Sequence, residues 1–135
     1  MVTTGAVRAW PPLAVALGCA AAYAVFFVLP FYANHLDQYP PAEAAGGLHD
    51  PKDLWPYDTA LGGFVFGTGG LLTLTCGPLV ATTTVVWAGL ALWRTRSDRA
   101  PRARVLLLLA AAVALGPLVW LASPTGSVVV QWWLD

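Results

Sequence analysis

The sequence predicts an all-α membrane protein with three transmembrane helices, and two observations support this prediction. Of the 135 residues, 58% are hydrophobic and only 10% are charged, whereas a soluble domain carries about 25% charged residues. The charges are also clustered, so that the segments 9–36, 59–93 and 105–134 contain no Asp, Glu, Lys or Arg. Because roughly 20 apolar residues span a bilayer, each segment is long enough to contain one helix.

The first helix is predicted over residues 11–29. It begins at the pair Pro11-Pro12, since proline is tolerated in the first turn of a helix. It is expected to end before Pro30, because proline inside a helix removes a hydrogen bond and clashes with the preceding turn. A cleaved signal peptide is disfavoured, because the apolar sequence continues for fourteen residues beyond Cys19,.

The second helix is predicted over residues 60–93, with Asp58-Thr59 as its N-cap,. At 1.5 Å per residue it would be about 50 Å long. That length exceeds the hydrocarbon thickness, so the helix is expected to tilt, protrude or break. Pro78 is the expected kink, and the threonines around it are expected to bond to nearby backbone groups.

Small residues recur along one face of this second helix, at spacings of three and four. Small side chains allow another helix backbone to approach closely. The face is therefore expected to pack against the other two helices, and a seam between two copies of the chain is the less favoured alternative. The residues of this face are Gly63, Gly67, Gly70, Gly77, Ala81, Thr84 and Ala88.

The third helix is predicted over about 105–122, ending at the turn sequence Ser-Pro-Thr-Gly at 123–126,. The C-terminal segment 123–135 is too short to cross a bilayer. Its valines and its Trp132-Trp133 pair are typical of a segment at the membrane interface,.

The distribution of basic residues predicts the orientation. Five arginines lie between the second and third helices and Arg8 precedes the first, whereas Lys52 alone lies on the other side. By the positive-inside rule, the N-terminus is cytoplasmic, and the loop 30–58 and the C-terminus are extracytoplasmic, in a bacterial plasma membrane. The arginine loop 94–104 is expected to attract anionic lipid headgroups rather than nucleic acid. Its arginines are Arg94, Arg96, Arg99, Arg102 and Arg104.

The predicted spans lack the groups that most membrane enzymes and transporters use. They contain no Asp, Glu, Lys, Arg or His, which argues against a pump or secondary transporter. Cys19 and Cys76 are predicted about 13 Å and 25 Å from the cytoplasmic ends of their helices, too far apart for a disulfide. No nucleophile and base occur in a recognisable motif. We therefore predict neither an enzyme nor a cofactor.

The outer loop 30–58 holds most of the polar side chains that remain. Histidine and carboxylate side chains bind Zn²⁺ or Cu²⁺, but their spacing here matches no strong metal motif. The weak metal-ligand candidates are His35, Asp37, His49 and Asp50.

Aromatic side chains in the loop and in the C-terminal segment suggest contact with another protein, because amphipathic aromatic residues are enriched at interfaces. Together with the loop prolines, they indicate a structured acidic and aromatic outer loop. The docking candidates are Tyr39, Trp55, Tyr57, Trp132 and Trp133.

These observations favour a single membrane domain that acts as a non-enzymatic accessory or assembly subunit of a larger bacterial membrane complex. Its expected partners are lipids and other membrane-protein subunits, and a respiratory complex is one candidate host. One alternative is a small homo-oligomeric transport or channel component with Thr68, Thr75 and Thr82 lining its path. Another is a membrane-tethered metal-binding protein that uses the outer loop.

Overall fold

The computed structural model describes residues 9–96 and 101–135, and in these ranges the regular structure is entirely helical. Three helices are long and apolar enough to cross a membrane: α1 (Trp10–Ala33), α3 (Ala60–Arg94) and α4 (Pro101–Leu121). The predicted helical fold with three candidate spans is therefore confirmed. Two shorter helices are α2 (Pro41–Ala44) and α5 (Pro124–Leu134), and 3₁₀ turns occupy Leu36–Gln38 and Pro51–Asp53.

Helix α1 does not end before Pro30, and this part of the sequence prediction is wrong. The chain forms a π-helical turn over Ala24–Val28 and then continues as α-helix to Ala33. Within the wider turn, the Leu29 N–H bonds to the carbonyl of Ala24, five residues earlier. Such a turn is one of the local adjustments that let a membrane helix tolerate proline. Proline at position 30 nevertheless leaves the Phe26 carbonyl without its usual N–H partner.

Helix α3 is a single helix of 35 residues that continues through Pro78. The Thr59 side chain, rather than that of Asp58, caps it by accepting the Gly62 N–H at 3.0 Å. Several threonine hydroxyls inside the helix donate to carbonyls one turn earlier, as Thr73 does to Gly69 at 2.7 Å and Thr84 to Val80 at 2.7 Å. These local bonds satisfy the hydroxyls without a partner from another helix.

The small-residue face of α3 points mainly into the bundle. Gly70, Gly77, Ala81, Thr84 and Ala88 are buried, whereas Gly63 and Gly67 near the start of the helix are only partly covered. The two buried glycines receive large aromatic neighbours: a Cβ at position 77 would lie 2.5 Å from the Tyr23 hydroxyl, and one at position 70 would lie 2.5 Å from the Trp133 ring. Because glycine has no side chain, Gly70 and Gly77 leave space on α3 for the aromatic rings of neighbouring elements,.

The two ends of the bundle are packed differently. At the arginine end, the buried cluster is built mainly from alanine, so the helices approach closely; its members are Ala9, Ala88, Ala91, Leu107 and Ala110. At the opposite end, the cluster contains large aromatic rings. Its members are Tyr23, Phe27, Phe31, Leu36, Ala44, Val129 and Trp132.

The arginine loop is shorter than predicted, because α4 begins at Pro101 and so includes Arg102 and Arg104 in its first turn. Proline suits this first helical position. The Arg104 guanidinium donates to the carbonyls of Thr95 and Arg96, at 3.0 and 2.7 Å. A cation at these carbonyls also complements the negative end of the α3 dipole. Arg8 and Arg99 lie outside the described residues.

The predicted separation of the two cysteines is wrong. The Cys19 thiol lies 3.7 Å from the carbonyl oxygen of Gly77, the chain neighbour of Cys76, so the two cysteines lie at a similar depth. Helix α3 is 35 residues long and extends well beyond its contact with α1. Two residues at the same depth can therefore lie at different distances from the ends of their helices. Both cysteines are free thiols.

The C-terminal segment is helical rather than merely interfacial chain. The Ser123 hydroxyl caps α5 by accepting the Gly126 N–H at 3.0 Å. Gly126 is required at this corner, because a Cβ there would collide with the Trp120 carbonyl. The tight turn folds α5 back, so that Val129 and Trp132 are buried in the aromatic core.

We predict that Gly77→Ala destabilises the bundle by about 1–3 kcal/mol, because the added methyl meets the ring and hydroxyl of buried Tyr23,. The measurement is the midpoint of thermal unfolding of the detergent-solubilised protein. Gly89→Ala is the matched control, since nothing lies within 4 Å of a Cβ at that position on the same helix. Equal midpoints for the two variants would contradict the close packing of α1 on α3.

Candidate functional site

The candidate site is an ordered cap on the aromatic end of the bundle, comprising residues 34–58 and helix α5. Its chain segments form turns that are fixed by local bonds. The Asp50 carboxylate accepts the Lys52 N–H at 2.9 Å and lies 3.7 Å from the Lys52 ammonium. Such Asx turns are typical where aspartate precedes proline. These bonds define the turns of the loop.

A pair of hydrogen bonds through Tyr57 joins the cap to two helices. The Tyr57 hydroxyl donates to the Phe26 carbonyl of α1 at 3.2 Å, and it accepts the indole N–H of Trp133 from α5 at 2.8 Å. The Phe26 carbonyl is the group to which residue 30 would donate in an α-helix, and proline has no N–H to give it. Tyr57 therefore supplies a hydrogen bond that the proline removed and simultaneously positions the C-terminal helix.

Two further bonds fix the cap. The indole N–H of Trp132 donates to the His49 carbonyl at 2.9 Å, linking α5 to the middle of the loop. The Asn34 amide donates to the Pro30 carbonyl at 2.7 Å and to the Trp55 carbonyl at 2.6 Å. These contacts connect residues 83 and 21 positions apart in the chain. They make the cap a tertiary structure rather than a tether.

Burial raises the pKa of Tyr57 to about 12, and the hydrogen bond from Trp133 partly opposes this rise. Desolvation disfavours the charged phenolate, whereas an N–H donor favours it. The hydroxyl therefore retains its proton at physiological pH. It can then donate to Phe26 and accept from Trp133 at the same time.

The four metal-ligand candidates do not converge. Within the described residues, no three side chains of His, Cys, Asp or Glu lie close enough together to hold a metal ion. His35 is exposed at the left-handed start of a 3₁₀ turn, and the His49 ring packs on Tyr39 at 4.4 Å between centroids. Asp50 is engaged as a cap with Lys52. The metal-binding alternative therefore remains a sequence-based expectation.

The five aromatic docking candidates fall into three groups by burial. Trp132 is only 1% exposed, because its ring lies in the core, and it is therefore not available at the surface described here. Tyr57 and Trp133 are partly buried in the bonds described above. Tyr39 and Trp55 remain 41% and 49% exposed and are therefore available at the surface.

Leu48 is a surface residue that the sequence interpretation overlooked. Its side chain is 74% exposed on the cap, beside Gly47, whose φ of 73° requires the left-handed conformation that glycine adopts readily,. An apolar residue between Gly-Gly and His-Asp in an otherwise polar segment was the available signal.

Comparisons of the chain with known protein families, curated proteins and solved structures found no significant match. Function is therefore inferred from the residues and contacts of the chain itself.

We expect Tyr57→Phe to lower the free energy of unfolding by about 1–3 kcal/mol, because it leaves the Phe26 carbonyl and the Trp133 N–H unpaired. Thermal unfolding monitored by tryptophan fluorescence measures this loss. Tyr39→Phe is the matched control, since it also removes one hydroxyl but keeps the ring on the cap surface. If Tyr57→Phe were as stable as the control, the proposed role of the Tyr57 hydroxyl would be wrong.

The raised pKa of Tyr57 also predicts a loss of stability in alkali. Between its ordinary value of 10.0 and about 12, the unfolded chain releases the phenolic proton while the folded chain holds it, so stability falls as the pH rises. Unfolding midpoints measured from pH 9 to 12, for the wild type and Tyr57→Phe, isolate this effect from other titrating groups. The wild type should lose more stability than the variant; parallel curves would contradict the prediction.

Proposed function

We propose that this protein is a non-enzymatic accessory or assembly subunit of a larger complex in a bacterial plasma membrane, and that the cap is its docking surface. The observation behind the proposal is that Leu48, Trp55 and Tyr39 are exposed on an ordered structure. Aromatic side chains are enriched at protein interfaces, and Trp55 and Tyr39 are two of them. Their low conformational freedom reduces the entropy lost on binding.

Trp55 is the central anchor in this proposal. Its ring packs on Phe66 of α3 at 6.1 Å between centroids, and its carbonyl accepts the Asn34 amide. One side of the indole is thus fixed while the rest remains exposed. Buried tryptophans are frequent hot spots of protein interfaces, and a preorganised one needs little rearrangement to become buried.

The orientation that we propose has the N-terminus and the arginine loop in the cytoplasm and the cap outside. It rests on the basic residues, because the arginines lie at the ends of α3 and α4 that face away from the cap,. Trp10 and Trp93 are both exposed at that arginine end, as expected for an aromatic belt at the membrane surface.

A self-assembling pore is the second candidate. Thr68, Thr75 and Thr82 are all exposed on α3 and are seven residues apart, so they share one face,. The Thr75 hydroxyl, however, already donates to the carbonyls of Leu71 and Leu72. Light scattering of the purified protein distinguishes the candidates: a monomer without its partner supports an accessory subunit, whereas a closed homo-oligomer supports a pore.

Cysteine labelling tests the orientation. We expect a membrane-impermeant maleimide to label Asp53→Cys in intact cells and to label Arg96→Cys only after the membrane is opened, since both positions are exposed at opposite ends of the bundle. The labelled fraction is read from a gel shift. The reverse pattern would overturn the proposed orientation.

Site-specific crosslinking tests the docking role. A photo-crosslinking residue at position 55 should capture one membrane protein in a stoichiometric adduct, and Leu48→Ser should reduce the yield several-fold, as expected for an interface anchor. The matched control places the crosslinker at position 93, which is exposed at the arginine end. Equal adducts from both positions, or none at position 55 in native membranes, would contradict the proposal.

A further inference from the structure

A cavity of about 320 Å³ lies under the cap, between the end of α1, the turn after it, α2 and the start of α5. This volume is at the lower end of the range for small-molecule sites. Its walls are largely apolar, and three aromatic rings line it: Phe31, Tyr32 and Tyr39. The Asp37 carboxylate is the charged group of the lining.

Asp37 is the charged residue of the cavity whose balance the proposal concerns. Among the described residues its carboxylate makes no ion pair, and the one loop ammonium, on Lys52, is paired with Asp50. The N-terminus of α5 borders the cavity through Pro124 and Thr125, and its partial positive charge favours anions. The Ser123 hydroxyl already accepts one of the free N–H groups at that helix end. The partial charge of the helix end is about half an elementary charge, which is too small to neutralise the full negative charge of Asp37.

We propose that this cavity binds the ammonium group of a small amphipathic amine. A carboxylate attracts the cation directly, and the rings of Tyr32 and Tyr39, which line the same cavity, can add cation–π attraction of the kind that holds alkylated ammonium groups. The apolar side chains of Leu36, Ala44 and Val128 on the same walls suit a short alkyl portion. Tyr39 belongs both to the proposed docking surface and to the cavity, whereas Leu48 and Trp55 do not line the cavity, so variants at those two positions separate the two proposals.

The position of the cavity admits two sources of this group. A free alkylammonium compound would enter from the aqueous side, where Asp37, Tyr32 and Tyr39 are exposed. The ammonium headgroup of a neighbouring lipid would enter from the membrane side, because Phe31 and Tyr32 belong to the last turn of the candidate span α1. Both present the same chemistry to Asp37.

Calorimetric titration of the full chain in an uncharged maltoside detergent tests the proposal, with hexyltrimethylammonium as the probe and hexanoate as its charge-reversed counterpart. We expect saturable one-to-one binding of the cation and at least tenfold weaker binding of hexanoate. Asp37→Asn should weaken cation binding about tenfold or more, and Tyr32→Leu should weaken it about threefold to tenfold. Asp53→Asn, an exposed acid outside the cavity, should leave the affinity unchanged.

Equal affinity for hexanoate, or an Asp37→Asn variant that folds normally and binds as the wild type does, would overturn the proposal. The Asp37 side chain makes no hydrogen bond or ion pair with the described residues, so this variant is expected to keep the wild-type unfolding midpoint. Nanodiscs distinguish the sources: if phosphatidylethanolamine in a phosphatidylglycerol bilayer displaces the probe, the ligand is a lipid headgroup. If the probe binds equally with and without that lipid, the ligand is a free amine.

Discussion

The arrangement of this protein depends on the carbonyl that Pro30 leaves without a donor. A buried, unpaired carbonyl costs free energy wherever water is excluded, so helix α1 can pass through Pro30 at low cost only if another donor reaches Phe26. The Tyr57 hydroxyl is that donor, at 3.2 Å. Because the same oxygen accepts the Trp133 indole N–H, the repair of one helix also fixes the loop and the C-terminal helix against it.

The glycines of α3 make this arrangement sterically possible. Trp133 reaches Tyr57 by lying across Gly70, and Tyr23 occupies the space beside Gly77. Larger residues at either position would push α1 and α5 away from α3. Trp132 lies in the aromatic core and Trp133 packs against it. The large apolar side chains that remain exposed on the loop of the cap are those of Leu48, Trp55 and Tyr39. The exposed surface that we propose for docking is therefore a consequence of packing deep in the bundle.

Much of the fold could be predicted from the sequence, since the long uncharged segments and the capping residue Thr59 are local signals. The spacing of small residues also indicated the face that holds buried Gly70 and Gly77, although Gly63 and Gly67 on the same face are only partly covered. What could not be predicted are the contacts between residues far apart in the chain. Pro30 indicates a helix end unless Tyr57 is known to lie beside Phe26, and Trp132 resembles a surface anchor until α5 is known to fold back. The four metal-ligand candidates likewise lie in one loop, but no three such side chains come together among the described residues. The pairing of Asp37 with Tyr32 and Tyr39 around one cavity has no sequence signature.

The most direct test is a double-mutant cycle with Pro30→Ala and Tyr57→Phe, measured as the free energy of unfolding of the four proteins. Alanine at position 30 restores an N–H that can bond to the Phe26 carbonyl, so the Tyr57 hydroxyl then matters less. The account predicts a coupling energy of about 1 kcal/mol or more, with Tyr57→Phe costing less in the Pro30→Ala background. Costs that add to within about 0.5 kcal/mol would contradict the claim that Tyr57 holds the cap in place by replacing the donor that Pro30 lacks.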